Sequence, residues 1–192
     1  GCAYSLYNII TPKVGLSYIE NMNFSKIVQQ DYTLSSGLGG LHHGTNTVEM
    51  ANAYSTLENH GEYRQADCIS SILDASGNEI YEEPESKTVY TRSASDQMTD
   101  ILEGVLNSSA GTAKGLKWSS ASDVAAAAKT GTTNDNNVAW FCGYTPYYTI
   151  SVWVGYDYPK SVKGLWGNTY PAYIWKEAML YTQPMPSAVF TP

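Results

Sequence analysis

The strongest constraint on the fold comes from the sequence around Lys129, Thr130 and Gly131, because its two flanks differ sharply in character. Residues 122–128 before it are small and largely apolar, whereas residues 132–137 after it are polar and indicate a loop. Aromatic residues are then frequent over 138–144, and apolar side chains alternate with others over 149–156. This order predicts three consecutive antiparallel strands, with the Lys-Thr-Gly tripeptide on the first.

Helical spacing of apolar residues predicts helices in the rest of the chain. The expected helices cover 4–14 and 16–22, separated by Gly15; 47–57, capped by Thr47 and stopped at 59–61; 93–106, capped by Ser95; and a last helix that starts at Pro171. A small hairpin is expected from strands 68–73 and 79–82, with its turn at 74–78. Together these elements predict an α+β fold in which helices cover an antiparallel sheet.

Composition and charge exclude several functions. The chain has 192 residues, 43% hydrophobic and 15% charged, which is typical of one globular domain with a substantial core. A net charge of −7 argues against nucleic acid as a partner, because no basic surface is available for phosphates. No apolar run reaches the length of about 18 residues that a membrane span needs, so no membrane contact is expected from this segment. Three widely spaced cysteines indicate neither a metal cluster nor a disulfide framework, and we expect no cofactor or metal.

Histidines and clustered carboxylates are the other candidates for chemistry. His42 and His43 are adjacent and have no acidic neighbour in the sequence, so loop histidines are favoured over a metal site or a Ser-His-Asp triad. The same interpretation applies to His60. The three glutamates within 82–85 flank a proline and indicate a solvated loop rather than a pair of catalytic carboxylates. The Asn-Asp pair at 134–135 either lines a cleft or stabilises the turn after the Lys-Thr-Gly strand.

Longer motifs connect this pattern with a known family. Lys-Thr-Gly-Thr-Thr-Asn-Asp at 129–135 is followed by Trp-Phe-Cys-Gly-Tyr-Thr-Pro at 140–146. Glu-Met-Ala-Asn-Ala-Tyr at 49–54 and Gly-Thr-Ala at 111–113 precede them. This set resembles the serine acyltransferases that include penicillin-binding proteins and β-lactamases, and the aromatic continuation is similar to class A penicillin-binding proteins. The resemblance implies that the α+β fold is part of the serine β-lactamase/penicillin-binding transpeptidase fold.

Two further motifs that the family chemistry needs are not recognisable in this chain. The family nucleophile lies in Ser-x-x-Lys, and no serine of this chain has a lysine three residues later. Ser-x-Asn has one literal match, at 76–78 in the predicted hairpin turn, which we interpret as a coincidence. Residues 1–182 are therefore expected to form the C-terminal portion of a transpeptidase domain whose other motifs lie upstream, and residues 183–192 a tail. The isolated fragment is expected to be inactive.

The resemblance also implies roles for the residues of the third motif. In the family reaction a serine attacks the D-Ala-D-Ala carbonyl of a peptidoglycan stem peptide, and an amine then releases the acyl group. Lys129 would supply a cation near the serine, and the backbone N–H of Thr132 would be one oxyanion donor. Thr130, Gly131, Thr132 and Thr133 would bind the substrate. The hydroxyls of Thr130 and Thr132 would donate hydrogen bonds to its carboxylate from one face of the strand. Gly131 would point the other way, toward the elements behind the sheet.

The implied parent protein is an extracytoplasmic, membrane-anchored cell-wall synthase with a glycosyltransferase domain upstream. Its implied partners are D-Ala-D-Ala stem peptides, β-lactam antibiotics and the missing N-terminal half of the transpeptidase domain. Two alternatives stay open: a non-catalytic module that binds peptidoglycan peptides, and a β-lactam sensor or β-lactamase. A Ser-x-x-Lys sequence upstream would distinguish the enzyme from the binding module.

Overall fold

The computed structural model describes residues 2–116, 118, 124–182 and 186–191. Its α-helices and strands follow in the order α1 (Cys2–Ile10), α2 (Pro12–Asn21), α3 (Thr47–Glu58), β1 (Glu62–Tyr63), β2 (Lys87–Thr88), α4 (Arg92–Asn107), β3 (Ala127–Thr132), β4 (Val138–Tyr144), β5 (Thr149–Gly155) and α5 (Tyr170–Tyr181). All strand pairs are antiparallel. The predicted α+β fold, with helices covering an antiparallel sheet, is confirmed.

The main sheet has three strands in the order β3-β4-β5, so β4 lies in the middle. The register between β3 and β4 places Lys129 opposite Cys142 and Gly131 opposite Trp140. The predicted strands at 138–144 and 149–156 are confirmed to within one residue. Among the described strands, β3 pairs on one side only, so its other edge is open.

Different helices cover the two faces of this sheet, because side chains alternate along each strand. On one face Ala128 and Phe141 pack with Trp175 of α5. On the other face Ala127 and Tyr144 form a cluster with Leu102 of α4, against which Tyr54 and Leu57 of α3 also pack. The alanines at 126–128 are at most 1% exposed, and their small side chains let helices approach β3 closely on both faces. The Lys-Thr-Gly edge is thereby fixed on a packed scaffold.

The predicted break between the first two helices was wrong in position. The chain breaks at Thr11, whose φ is 73°, and Pro12 is the first residue of α2. Proline fits the first turn of a helix because its missing N–H would have no partner there. Gly15 lies inside α2, where a Cβ would come within 2.2 Å of the Tyr7 ring. This glycine therefore admits a neighbouring side chain and does not end a helix.

Two predicted helix caps were also wrong. The N-cap of α3 is Asn46, whose Oδ1 accepts a hydrogen bond from the Glu49 N–H at 2.8 Å, so Thr47 is already helical. The N-cap of α4 is Thr91, and Ser95 is buried within the helix. Asn, Thr and Ser all cap helices well, so the sequence rule does not choose between neighbouring candidates.

The predicted hairpin forms its turn but not its strands. Asp74 Oδ1 accepts hydrogen bonds from the N–H groups of Ser76 and Asn78, which closes the turn as expected. Strand pairing is limited to a single bridge between Leu73 and Glu79. A two-stranded hairpin needs a surface to pack against, and this one has exposed apolar side chains instead. The small sheet of this region is β1 with β2.

The segment after α5 contacts the sheet where it is described. The Ala188 carbonyl accepts a hydrogen bond from the Ala125 N–H at 2.8 Å. The ring of Phe190 packs edge-on against Tyr144, with 5.5 Å between centroids. Residues 186–191 thus lie against the domain, while the rest of the expected tail, 183–185 and 192, is outside the described residues. Part of the loop predicted before β3, including Ser122, is outside them as well.

Candidate active site

The open edge of β3 presents free backbone groups at alternate residues. The Thr133 N–H donates to the Val138 carbonyl at 3.0 Å, which sets the hydrogen-bonding phase between β3 and β4. In an antiparallel pair this phase alternates, so the N–H and C=O groups of Lys129 and Gly131 face β4. Those of Thr130 and Thr132 face outward. The Thr132 N–H is therefore positioned to bind an oxygen that approaches this edge.

Lys129 lies on the sheet face that α3 and α4 cover. Its ammonium donates a hydrogen bond of 2.7 Å to the carbonyl of Thr130, one of the outward-facing groups. The side chain is exposed and borders an apolar groove on the α3–α4 side. A cation is thus held at the junction of this groove and the strand edge.

Thr130 and Thr132 lie on the opposite face, toward α5. The Thr130 Oγ1 is 2.8 Å from the Thr112 Oγ1, and the Thr132 Oγ1 accepts the Gly167 N–H at 2.9 Å. Thr132 is exposed and Thr130 half-buried. The two hydroxyls therefore share one face, and groups from two loops already contact them.

Gly131 and Thr133 make close contacts within the β3–β4 pair. A Cβ on Gly131 would lie 3.3 Å from the Trp140 Cβ, so its close neighbour is a side chain on the adjacent strand rather than an element behind the sheet. The Thr133 hydroxyl accepts hydrogen bonds from the N–H groups of Asn137 and Val138, both at 3.1 Å. This hydroxyl closes the β3–β4 turn.

The polar turn after β3 is tied to the loop before α5. Asn134 and Asp135 are exposed. Asn136 has a φ of 53°, and its side-chain amide donates to the Leu165 carbonyl at 2.5 Å. Sequence reasoning missed Asn136 and Thr112, although the Gly-Thr-Ala motif that contains Thr112 was a usable signal.

An apolar groove opens beside Lys129, between α2, α3 and α4. Its volume is about 510 Å³. We call it the apolar groove; its lining is Ile19, Met22, Phe24, Leu41, Met50, Ala53, Tyr54, Leu57, Tyr90, Ala94, Met98, Leu102 and Lys129. Lys129 is the one charged side chain in this lining.

Burial dominates the titration of groups near the site. It raises the pKa of the Cys142 thiol to about 11, against the smaller opposing effects of the Ser151 hydroxyl and the Lys129 charge. It raises the pKa of Tyr144 to about 12 and also raises that of Tyr54. These groups are therefore protonated at neutral pH and add no negative charge beside the Lys129 ammonium.

The histidines occupy other parts of the fold. The backbone N–H of His42 donates to Asp31, and the His60 Nδ1 lies 2.8 Å from an Asp96 carboxylate oxygen. The glutamates at 82–85 are exposed, as predicted for a solvated loop. Across the described residues, no cluster of three or more His, Cys, Asp or Glu is arranged to hold a metal. The described helices are also too short or too polar to span a bilayer.

A lysine-threonine-glycine edge strand, on an antiparallel sheet with helices on both faces, defines the penicillin-binding transpeptidase class of fold. The family model described as "Penicillin binding protein transpeptidase domain" matches residues 15–180. The chain belongs to this family. Penicillin-binding protein 4 of Bacillus subtilis is 35% identical over 161 residues, which is 83% of this chain and 25% of that protein. Penicillin-binding protein 1A of Clostridium botulinum is 35% identical over 146 residues, 76% of this chain and 17% of that protein.

Solved structures agree with this assignment. Penicillin-binding protein 1A from Haemophilus influenzae matches with a TM-score of 0.77 at 17% identity, over 100% of this chain and 34% of that one. The PonA1 protein from Mycobacterium tuberculosis, in complex with penicillin V, matches with a TM-score of 0.71 at 23% identity, over 90% of this chain and 50% of that one. At these identities the matches establish the fold. The family model and the sequence relatives identify the chain as part of a transpeptidase domain of class A penicillin-binding type.

Proposed function

We propose that this chain is the substrate-binding C-terminal portion of a D,D-transpeptidase that cross-links peptidoglycan stem peptides outside the cytoplasm. It spans a quarter or less of the length of the two relatives described above. In the proposal the nucleophilic serine lies on another segment of the same protein, within a Ser-x-x-Lys sequence. The glycosyltransferase domain and the membrane anchor belong to that longer protein as well.

The observation that carries the proposal is the open edge of β3. Its outward Thr132 N–H can stabilise an oxyanion, and preorganised donors of this kind contribute strongly to acyl transfer. The Thr130 and Thr132 hydroxyls flank the edge from one face, and the Lys129 ammonium from the other. An extended stem peptide would add to this edge as a further strand, with its carboxylate at the hydroxyls.

The apolar groove supports the location of the nucleophile. Twelve of its thirteen lining side chains are uncharged, and Lys129 stands at its border. A helix that buried an apolar face there would bring its polar residues next to the Lys129 ammonium. A serine delivered in this way would meet both the cation and the oxyanion donor.

β-Lactam binding follows from the same chemistry. A β-lactam carries a strained amide carbonyl and a carboxylate, which correspond to the scissile carbonyl and terminal carboxylate of D-Ala-D-Ala. The PonA1 structure contains penicillin V, so a protein of this fold accommodates such a ligand. We therefore propose that the same β3 edge binds β-lactams in the parent protein.

The proposal is tested by acylation of the full-length protein with a fluorescent penicillin. Thr132→Val preserves the strand and the backbone N–H but removes one hydrogen bond to a charged group, worth roughly 1.5–3 kcal/mol. The second-order acylation rate should fall by about one to two orders of magnitude. Lys129→Ala should lower the rate further, because no other side chain in the described lining of the apolar groove is charged.

Melting temperatures provide the control, since valine suits a strand as well as threonine does. Rate losses that merely follow unfolding would mean that β3 is structural. Failure of the wild-type protein to form an acyl-enzyme would favour the peptide-binding module, and rapid release of hydrolysed penicillin would favour a β-lactamase. The isolated 192-residue chain should not be labelled, because it has no Ser-x-x-Lys serine.

A further inference from the structure

Two loops reach the face of β3 that carries the threonine hydroxyls. Thr112 lies in the first loop, with its Oγ1 2.8 Å from the Thr130 Oγ1. Gly167 lies in the second, with its N–H bonded to the Thr132 Oγ1 at 2.9 Å. The loops also join each other, since the side-chain amide of Asn168 donates to the Thr112 carbonyl at 3.0 Å. Strand and loops therefore form one hydrogen-bonded unit.

The contacts decide which hydrogens are available to a ligand. A threonine hydroxyl has one hydrogen to donate and two lone pairs that accept. Because the Thr132 Oγ1 accepts the Gly167 N–H, its own hydrogen stays free to point outward. In the pair of Thr112 and Thr130, only one hydroxyl donates to the other. When Thr112 donates, the hydrogen of Thr130 is free as well.

A carboxylate selects that second arrangement, because it accepts hydrogen bonds and cannot donate them. Both strand hydroxyls then donate to the carboxylate, and Thr112 donates to Thr130 from behind. Without the Thr112 hydroxyl, Thr130 loses the group that holds its side chain in this orientation. Thr112 would thus act through Thr130 without touching the ligand.

The close approach of the second loop keeps the unit in place. A Cβ on Gly167 would come within 2.7 Å of the Gly131 carbonyl oxygen and 2.9 Å of the Thr130 Cβ. Gly167 is buried, so a side chain there could not turn away into solvent. The loop backbone therefore lies directly on the strand, which fixes the position of its N–H against Thr132.

We propose that Thr112 is a positioning residue for recognition of the substrate carboxylate. It orients the Thr130 hydroxyl as a donor, as the Gly167 N–H does for Thr132. This inference rests on the proposed function of the β3 edge and extends the site to the loop that contains the Gly-Thr-Ala sequence.

The test compares two ligands in the full-length protein: penicillin G, and its methyl ester, in which the carboxylate is blocked. Thr112→Val removes the hydroxyl and keeps the shape of the side chain. The second-order acylation rate with penicillin G should fall about three- to tenfold, the usual effect of one hydrogen bond between neutral groups. The rate with the methyl ester should change by less than about twofold. Thr112→Ser, which restores a hydroxyl, should recover the penicillin G rate.

Thr33→Val is the matched control. The Thr33 and Ser35 hydroxyls form a similar contact of 2.7 Å in another part of the chain. Removing the Thr33 hydroxyl should therefore leave the acylation rates with both ligands unchanged. Equal slowing of both ligands by Thr112→Val, unchanged rates, or failure of Thr112→Ser to recover the rate would overturn the positioning role while leaving the proposed function intact. A wild-type protein that neither ligand acylates would overturn the proposed function and this inference with it.

Discussion

Cys142 illustrates how neighbours decide the chemistry of a residue in this fold. It lies on β4 opposite Lys129, and its side chain is 2% exposed. Burial raises the pKa of its thiol to about 11, because the thiolate would lose its hydration, and the nearby lysine charge offsets this only in part. A cysteine beside a lysine in the sheet is thus an inert core residue.

We predict that Cys142 resists alkylation in the folded protein. At pH 8 about 0.1% of a thiol with a pKa near 11 is ionised, against roughly a quarter for an ordinary cysteine. Cys2 and Cys68 are exposed and should react with iodoacetamide at ordinary rates. Peptide mass spectrometry should find these two modified well before Cys142, and all three after denaturation. Equal rates in the native protein would contradict the buried placement.

At the scale of elements, the periodicity of side chains predicted helices and strands better than single residues predicted where they begin and end. The strands β4 and β5 and the helix α5 were predicted almost to the residue, because aromatic alternation and an initial proline are strong local signals. The break at Thr11 and the caps at Asn46 and Thr91 were missed. Each depends on a choice between adjacent residues of similar propensity, which tertiary contacts decide. The hairpin strands did not form, because their apolar side chains are left exposed in the described part of the chain.

Asp31 shows what sequence patterns miss in the glycine-rich loop before α3. Its side chain is 1% exposed, and its two oxygens accept hydrogen bonds from the backbone N–H groups of Val28 and His42. Burial alone would raise the pKa of Asp31. The two N–H donors and the neighbouring His42 and His43 outweigh it, so the pKa lies below its ordinary value of 3.8. The two chain segments are therefore joined through one ionised carboxylate.

We predict that Asp31→Asn destabilises the protein by about 1–3 kcal/mol at pH 7, because a buried N–H loses its charged acceptor. Since the folded pKa is the lower one, the stabilisation is present above the unfolded value near 4 and is lost as pH falls through the folded pKa. Urea denaturation between pH 3 and pH 7 measures both effects. The exposed Asp157→Asn is the control and should leave stability nearly unchanged. A variant as stable as wild type, with the same pH dependence, would exclude this role.

For the whole molecule, the sequence motifs predicted a candidate site, whereas its surroundings required the structure. The Lys-Thr-Gly tripeptide lies on the first of three antiparallel strands, as its polar continuation and aromatic neighbours indicated, and the structure places this strand at an edge of the described sheet. The loop contacts of Thr112 and Gly167 with β3 were not predictable, because they join residues 18 and 35 positions apart. Long-range contacts of this kind leave no local pattern in a single sequence.

A domain that folds on its own usually covers its apolar side chains, and the apolar groove does not fit this expectation. The missing N-terminal half of the transpeptidase domain, which the family resemblance implies, predicts exposed apolar side chains at Met50, Leu57, Ile101 and Val105. Met50 and Leu57 line the groove, Ile101 is 67% exposed, and Val105 packs against the core instead. An apolar surface thus lies between α2, α3 and α4, next to Lys129, and Met98 is its large exposed side chain, while other exposed apolar side chains lie elsewhere on the chain. Surfaces of this kind favour association in water.

We predict that the isolated 192-residue chain self-associates and binds a hydrophobic dye through this groove. Met98 lines the groove and is 42% exposed, so Met98→Gln should lower dye fluorescence by about half and shift the chain toward monomer. Leu73→Gln is the matched control, because Leu73 is 59% exposed on the hairpin, away from the groove lining. It should change neither quantity. Analytical ultracentrifugation and dye titration measure the two responses. A monodisperse wild-type monomer that binds no dye would mean that the groove closes in solution, and that no further segment is needed to cover it.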